Sequence, residues 1–408
     1  MTLLCLLASR PLQADLPEPS RLSQGPPPVL MVDGLPAPAR LPLLRMPAEF
    51  ERQQLLLLSC GDLAGAHADK LAEIAAAVRE KVRVVVLCAD KAQEIRVATA
   101  MRRRMRTLEN VTFFHVAHNT KWVRDYGPTA LSAADGKSAL VDWQYDPGRP
   151  DDDAIPGHLA NWGTTPLRRA GCFVEGGNLL SNGDGLVVTT SVILDRNLHL
   201  DPETLRDSLR RQLGARRVVT LEPLVGEPTG HVDMFATFTS PDTVVVGHYD
   251  FDDDPVNGPI LDRNAALLST LEVPGGLMRV ERVPMGARHD GVFRSYTNCV
   301  FANGVLLVPK YREHDGWRLG HCEMLFRRLL PGWTVVPIDA SDLIQECGAL
   351  HCVSLNIPAL NGAPDKAPNA FVPNPLAPLG RDGNGANVNA ANGIAPPLRG
   401  PDLEQLLR

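Results

Sequence analysis

The chain has 408 residues, 44% of them hydrophobic and 22% charged, with a formal net charge of -6. That length supports one large core or two smaller ones, and the acidic balance argues against a nucleic-acid binder while suiting a cationic small substrate. Eight cysteines with no CxxC pair and no regular spacing exclude a zinc ribbon and a dense disulfide framework.

From the N-terminus, MTLLCLLASRPLQA is a short apolar run with no basic residue ahead of it. It is a poor signal peptide, so a cytoplasmic location is favoured, with export left open. No stretch approaches the roughly 18 consecutive apolar residues of a membrane span, so no membrane partner is expected. Residues 1–45, proline-rich from Asp15 to Leu44, read as a leader or flexible segment. Residues 359–408 repeat Pro, Gly, Asn and Ala and read as a flexible low-complexity tail. The folded body is then 46–358.

Within that body a helix followed by an apolar strand recurs. His67 to Glu80 leads into VRVVVLC from Val82, Asp201 to Leu213 into RRVVTL from Arg216, and Cys322 to Leu330 into TVVPI from Thr334. Further strands are expected at LLLLSC from Leu55, VTFFHV from Val111, ALVDWQY from Ala139, LVVTTSVI from Leu186, TVVVGHY from Thr243 and GVLLVPKY from Gly304. The basic run Arg102 to Arg106 is expected on an exposed helix face. This alternation implies an α/β or α+β domain of repeated modules.

Five polar clusters could carry chemistry. WVRDYGP places Asp125 beside Arg124, before a turn; a carboxylate there can accept paired hydrogen bonds from a guanidinium, or Arg124 and Asp125 can form a structural pair. VEGGN sets Glu175 before two glycines that permit a tight turn. In TGHVDMF, His231 and Asp233 stand two apart in an apolar, strand-like context, which would turn both to one side. That pairing suits a proton-shuttling histidine beside a carboxylate. GALHC ends on Cys352, readable as a nucleophile, as a buried thiol, as half of a disulfide with Cys347, or as a metal ligand with His351. SYTN, ending on Asn298, looks like a polar strand edge, and DFDDDP from Asp250 reads as a solvated turn in preference to a calcium loop.

In this order WVRDYGP, EGGN, GHVD, SYTN and GALHC, with MPAEFE at Met46 as the opening, resemble the bacterial agmatine deiminase and peptidylarginine deiminase family of guanidine-modifying enzymes. The resemblance covers residues 46 to 358. It implies the pentein fold, a five-bladed α/β propeller of ββαβ modules with pseudo-fivefold symmetry. It implies Cys352 as nucleophile, His231 as proton shuttle, Asp125 and Asp233 as holders of the guanidinium, and Glu175 as the group that orients His231. Trp122 would wall the pocket and Asn298 line it near the thiol. No metal or organic cofactor is implied. The expected reaction is hydrolytic deimination through a thiouronium on Cys352, with amidino transfer to an amine and noncatalytic binding as alternatives.

The expected partner is a cationic guanidino small molecule or an arginine-containing peptide. Enzymes of the family that act on C-terminal peptidyl-arginine carry YxRPRP; here the loop reads YDPGRP, keeping Arg149 and placing Pro147 where the first arginine would stand. One carboxylate anchor is thus expected from Arg149, while a free guanidino compound stays open as substrate. Nothing in the sequence sets the oligomeric state.

Overall fold

The computed structural model describes residues 44–61, 63–250 and 252–362. Nearly all of the expected leader and tail lie outside them. The strand segments that read as unbroken apolar runs form the interior of small sheets: Leu55–Ser59 is buried along its whole length, and Arg83–Cys88 at all but its first residue. Such runs suit strands covered on both faces, and parallel neighbours require a crossover, which each module supplies as a helix.

Five sheets repeat one topology, a first strand antiparallel to a second, which runs parallel to a third. The first module joins Ser354–Ile357, Leu55–Ser59 and Arg83–Cys88, and adds Val111–His115 as a fourth strand. The second joins Thr129–Ser132, Ser138–Gln144 and Leu167–Phe173. The third joins Leu180–Ser181, Leu186–Thr190 and Arg217–Leu221, and the fourth Ala236–Ser240, Thr243–His248 and Arg279–Pro284. The fifth joins Val300–Ala302, Val305–Lys310 and Thr334–Asp339. The helices between second and third strands are Ala68–Val78, Ile155–Trp162, Pro202–Leu213, Asn257–Ser269 and Gly316–Leu329. Because the first module takes its first strand from the C-terminal end of the body, the ββαβ repeat closes on itself in the pentein arrangement.

The helices follow from local chemistry. Ala68–Val78 buries Leu71, Ala72, Ile74, Ala75 and Val78, an apolar stripe of helical period. Pro202–Leu213 starts where the Asp201 carboxylate accepts from the amides of Glu203 and Thr204, has proline in its first turn and ends on Gly214 at φ 59°. A side chain at Gly214 would also meet the Leu44 carbonyl, with Cβ 2.1 Å from the oxygen.

Several elements differ from expectation. The last helix begins at Gly316, six residues before Cys322, because its first turns bury nothing and give no apolar signal: only Cys322, Leu325 and Phe326 are buried. Helices Ile155–Trp162 and Asn257–Ser269 open on Ile-Pro-Gly and Asn-Gly-Pro, residues that read as turns in isolation. The basic run is helical only to Arg104. His231 and Asp233 do not lie on a strand; Val232–Met234 is a 3-10 turn. Asp125 likewise sits in the helical turn Val123–Tyr126, and SYTN is irregular chain before Val300–Ala302. In DFDDDP, Asp254 accepts from the amides of Val256 and Asn257 at the start of a helix, and Asp253 pairs with Arg318 at 2.7 Å.

The closing strand should carry much of the stability of the ring. Ile357 is fully buried and pairs with Leu55, so Ile357→Ala is expected to cost about 2–5 kcal/mol. A shifted urea midpoint with an unchanged slope would show it.

Candidate active site

Each module hands the chain to the next through a crossing: 116–128, 174–179, 222–235, 285–299 and 340–353. WVRDYGP, VEGGN, TGHVDMF, SYTN and GALHC fall one in each crossing. The repeat therefore brings to one place residues that are far apart in sequence. Asn178 is one fastener: its Oδ1 accepts from the Thr190 amide, the Thr190 hydroxyl and the Val232 amide, tying the second crossing to the third.

The Cys352 thiol is buried at 4% exposure. Its Sγ accepts from Asn298 Nδ2 at 3.3 Å and lies 3.8 Å from Asp233 Oδ2. His231 Nε2 is 3.2 Å from Glu175 Oε2, and its Nδ1 is 3.6 Å from Asp125 Oδ1. Asp125 Oδ1 also accepts from the Gly177 amide at 3.0 Å. Trp122 flanks the thiol loop: a Cβ at Gly348 would touch both its ring, at 2.4 Å, and Cys352 Cβ, at 3.0 Å. Cys347 and Cys352 are both free thiols, so no disulfide joins them. Among the described residues, no group of three or more His, Cys, Asp or Glu side chains could hold a metal ion.

Gly177 stands at the centre of the cluster. A Cβ there would lie 2.7 Å from His231 Nδ1, 2.8 Å from Asp125 Oδ1 and 3.0 Å from Asp233 Oδ2. The glycine thus lets backbone approach where any side chain would fill the space the three groups share.

Charge in this space is unbalanced toward the negative. Burial raises the Asp125 carboxyl to about 6, His231 opposing and Glu175 and Asp233 adding to the shift. Burial disfavours the His231 cation, but Asp125, Glu175 and Asp233 outweigh it and raise the imidazole to about 10. The Cys352 thiol is pushed well up by burial and then by Asp233 and Asp125. The surroundings thus favour an imidazolium and a protonated thiol, and Asp233 Oδ1 is buried with no hydrogen-bond partner among the described residues.

Three residues outside the expected set complete the site. His351, considered above only as a metal ligand, has Nδ1 2.7 Å from Asp233 Oδ2 and Nε2 2.9 Å from Glu49 Oε1. Arg124 does not pair with Asp125; its Nη1 donates to Glu49 at 2.5 Å and its Nε to the Ser354 carbonyl at 3.0 Å. Their signals were adjacency to Asp125 and Cys352, and membership of MPAEFE for Glu49. A cleft of about 340 Å³ reaches Glu175 from outside, lined among others by Tyr145, Arg149, Phe173 and Arg196. Arg149 Nη1 donates to the Tyr145 hydroxyl at 3.2 Å, while Arg196 reaches Glu175 at 3.3 Å. A larger hollow of about 640 Å³, lined by Lys137, Arg168 and Arg211 among others, carries none of the five motifs.

The Porphyromonas-type peptidyl-arginine deiminase family matches residues 45–358, and the chain belongs to that family. It is 25% identical over 368 residues to an agmatine deiminase of Medicago truncatula, covering 77% of this chain and 96% of the relative. It is 25% identical over 293 residues to an agmatine deiminase of Ectopseudomonas mendocina, covering 62% and 79%. The solved agmatine deiminase of Enterococcus faecalis superposes with a TM-score of 0.68 at 22% identity, over 78% of this chain and 96% of that one, a likeness of fold. The protein is thus a guanidine-modifying hydrolase of the deiminase type. Among the described residues no helix is long and apolar enough to cross a membrane.

Gly177→Ala is expected to lower kcat/KM about a hundredfold, the scale of loss when reacting groups are displaced by about an ångström. The thermal midpoint should stay near that of the wild type; an active Gly177→Ala enzyme would mean that the three groups do not share a ligand.

Proposed function

We propose that this protein deiminates a guanidino substrate that carries a carboxylate beyond its guanidinium, a free or C-terminal arginine, to a ureido product and ammonia. The observation that carries the substrate reading is the cleft in which Arg149 and Arg196 flank Glu175. Arg149 is paired there with Asp146 at 3.5 Å and Arg196 with Glu175; a cationic tail such as that of agmatine would bring a like charge to both guanidinium groups, whereas a carboxylate would gain two partners. Arg196 supplies a cation from the third module in a cleft where Pro147 replaces an arginine of the loop.

In the proposed reaction Asp125 and Asp233 hold the guanidinium between them, Asp233 through its unpartnered Oδ1. The arriving cation offsets the two carboxylates that keep the thiol protonated, so Cys352 gives up its proton to solvent as substrate binds. The thiolate then attacks the central carbon. His231, protonated beforehand, acts first as acid and gives its proton to the departing amino group, leaving a thiouronium on Cys352. The neutral imidazole next takes a proton from water, whose oxygen adds to the same carbon and displaces the thiolate. Glu175 keeps the ring oriented and supports its charge between the two steps. Asn298 steadies the sulfur by donation, and Trp122 covers the loop that carries it. The balance of residues needs no cofactor, and water serves as acceptor where an amidinotransferase would use an amine.

Cys352→Ala should abolish turnover with little change in the thermal midpoint, and substantial ammonia release by that variant would overturn the nucleophile. The kcat/KM profile should fall as pH drops through about 6, because protonating Asp125 removes a charge that holds the cation. A profile flat to well below that value would contradict the role of Asp125. Arg149→Ala is expected to raise KM for a C-terminal arginine peptide about ten- to a hundredfold, the worth of a charge-assisted hydrogen bond at about 1.5–3 kcal/mol. Agmatine turnover should hold or improve, because a like charge is removed; wild-type preference for agmatine over the peptide would overturn the substrate reading.

A further inference from the structure

Behind the proposed reacting groups lies a second row of charges, internal but for the partly exposed Glu49: Arg124, Glu49, His351 and Asp233, each bonded to the next. Arg124 and His351 immediately precede Asp125 and Cys352 in the chain. In both crossings one residue faces the substrate space and its neighbour enters this row. The row also fixes backbone, since the Arg124 amide donates to the Cys352 carbonyl at 3.3 Å and Arg124 Nε to the carbonyls of His351 and Ser354.

His351 stands between two carboxylates, with Nδ1 on Asp233 and Nε2 on both oxygens of Glu49 at 2.9 and 3.0 Å. Ionised carboxylates only accept, so a ring bonded to both donates from both nitrogens. The side chain of Asp233 is 1% exposed, and its Oδ1 has no partner among the described residues. One oxygen, Oδ2, is thus held by His351 at the edge of the space beside Gly177 and Cys352, while the other has no partner.

We propose that His351 is a positioning residue: by holding Oδ2 of Asp233 through Nδ1, it fixes that carboxylate at the space shared with Asp125 and His231 and leaves Oδ1 unpartnered for the guanidinium, and Glu49 with Arg124 secures the ring from the other side. This rests on the reading of Asp233 as a guanidinium holder. His351 itself does not touch the reacting atoms. The same hold explains why the Cys352 crossing and Asp233, which lie in different modules, keep one geometry in the absence of ligand.

Two isosteric variants separate the two nitrogens. The Asn amide reproduces a donor near Nδ1 and so keeps the bond to Asp233, whereas the Gln amide reaches toward the Nε2 position and keeps the bond to Glu49. Both remove the same charge from between two carboxylates, so both should lower the thermal midpoint similarly. The readout is the rate at which Cys352 is alkylated by a cationic haloacetamidine relative to neutral iodoacetamide, followed by intact mass. The wild type should favour the cation; His351→Asn should keep that ratio, and His351→Gln should lose about tenfold or more of it. If the two variants shift the ratio equally, or not at all while the wild type favours the cation, the positioning role is wrong. If the wild type itself shows no preference for the cation, the reading of Asp233 fails and the proposal with it. A measurement independent of variant folding is the ring ¹⁵N spectrum of wild-type His351, which should show both nitrogens protonated at neutral pH; one bare nitrogen would overturn the two-sided hold.

Discussion

Two carboxylates, Asp125 and Asp233, face one space with the His231 imidazole, which Glu175 also bonds, while Asp233 is held from behind by His351. Burying charge is costly unless an opposite charge or hydrogen bond compensates it, and here the compensation is incomplete until a cation arrives. The other properties of the site follow from that deficit. Burial, with that deficit added to it, raises the Asp125 carboxyl and the Cys352 thiol, and the surrounding carboxylates raise the His231 imidazole against its burial. A planar cation can offset all three effects at once, which in the proposed reaction couples binding to the readiness of Cys352. The resting thiol is protected by the same means, since a buried protonated sulfur is a poor target for oxidants and adventitious electrophiles.

Holding such a deficit requires a rigid surround. The pentein supplies it by repetition: five crossings, each anchored between two sheets, deliver one motif apiece, and Asn178 and Thr297 tie neighbouring crossings together. The internal row from Arg124 to Asp233 alternates in sign, so its members compensate one another, and Asp233 joins it to the groups beside Gly177. Glu49 shows the strength of this: burial would raise its carboxyl, yet Arg124 and His351 hold it down to about 2. It stabilises the fold above the ordinary carboxylate range, and that contribution is lost only as pH falls toward 2. The acid sensitivity of the reaction and that of this buried row thus lie in separate windows, near 6 for Asp125 and far lower for Glu49.

The substrate-facing side has a different logic. Glu175 belongs to both worlds, bonded inward to His231 and outward to Arg196. A carboxylate that engages Arg149 and Arg196 would draw Arg196 away from Glu175 and leave more of its charge for the imidazole. Specificity and proton transfer then share a residue, and the cleft need not make many contacts to discriminate.

Much of this protein is legible in its sequence. The apolar runs at Leu55, Val82, Thr243 and Gly304 mark the central strands because residues buried on both faces leave an unbroken signal. The five motifs fix the deiminase family because each is a dense group of residues needed at one point of the repeat. Helix Asn257–Ser269 and the first turns of Gly316–Leu329 escaped because their composition imitates turns or lacks a buried stripe. His231 and Asp233 were expected on a strand, yet a 3-10 turn brings them to the same space. What only the tertiary structure decided is partnership. Arg124 stands next to Asp125 in the chain but bonds Glu49, His351 stands next to Cys352 but bonds Asp233, and Arg196 completes a cleft begun in another module. Hydrogen bonds and ion pairs are set by distance in space, and sequence order carries no measure of that distance until the sheets close their ring.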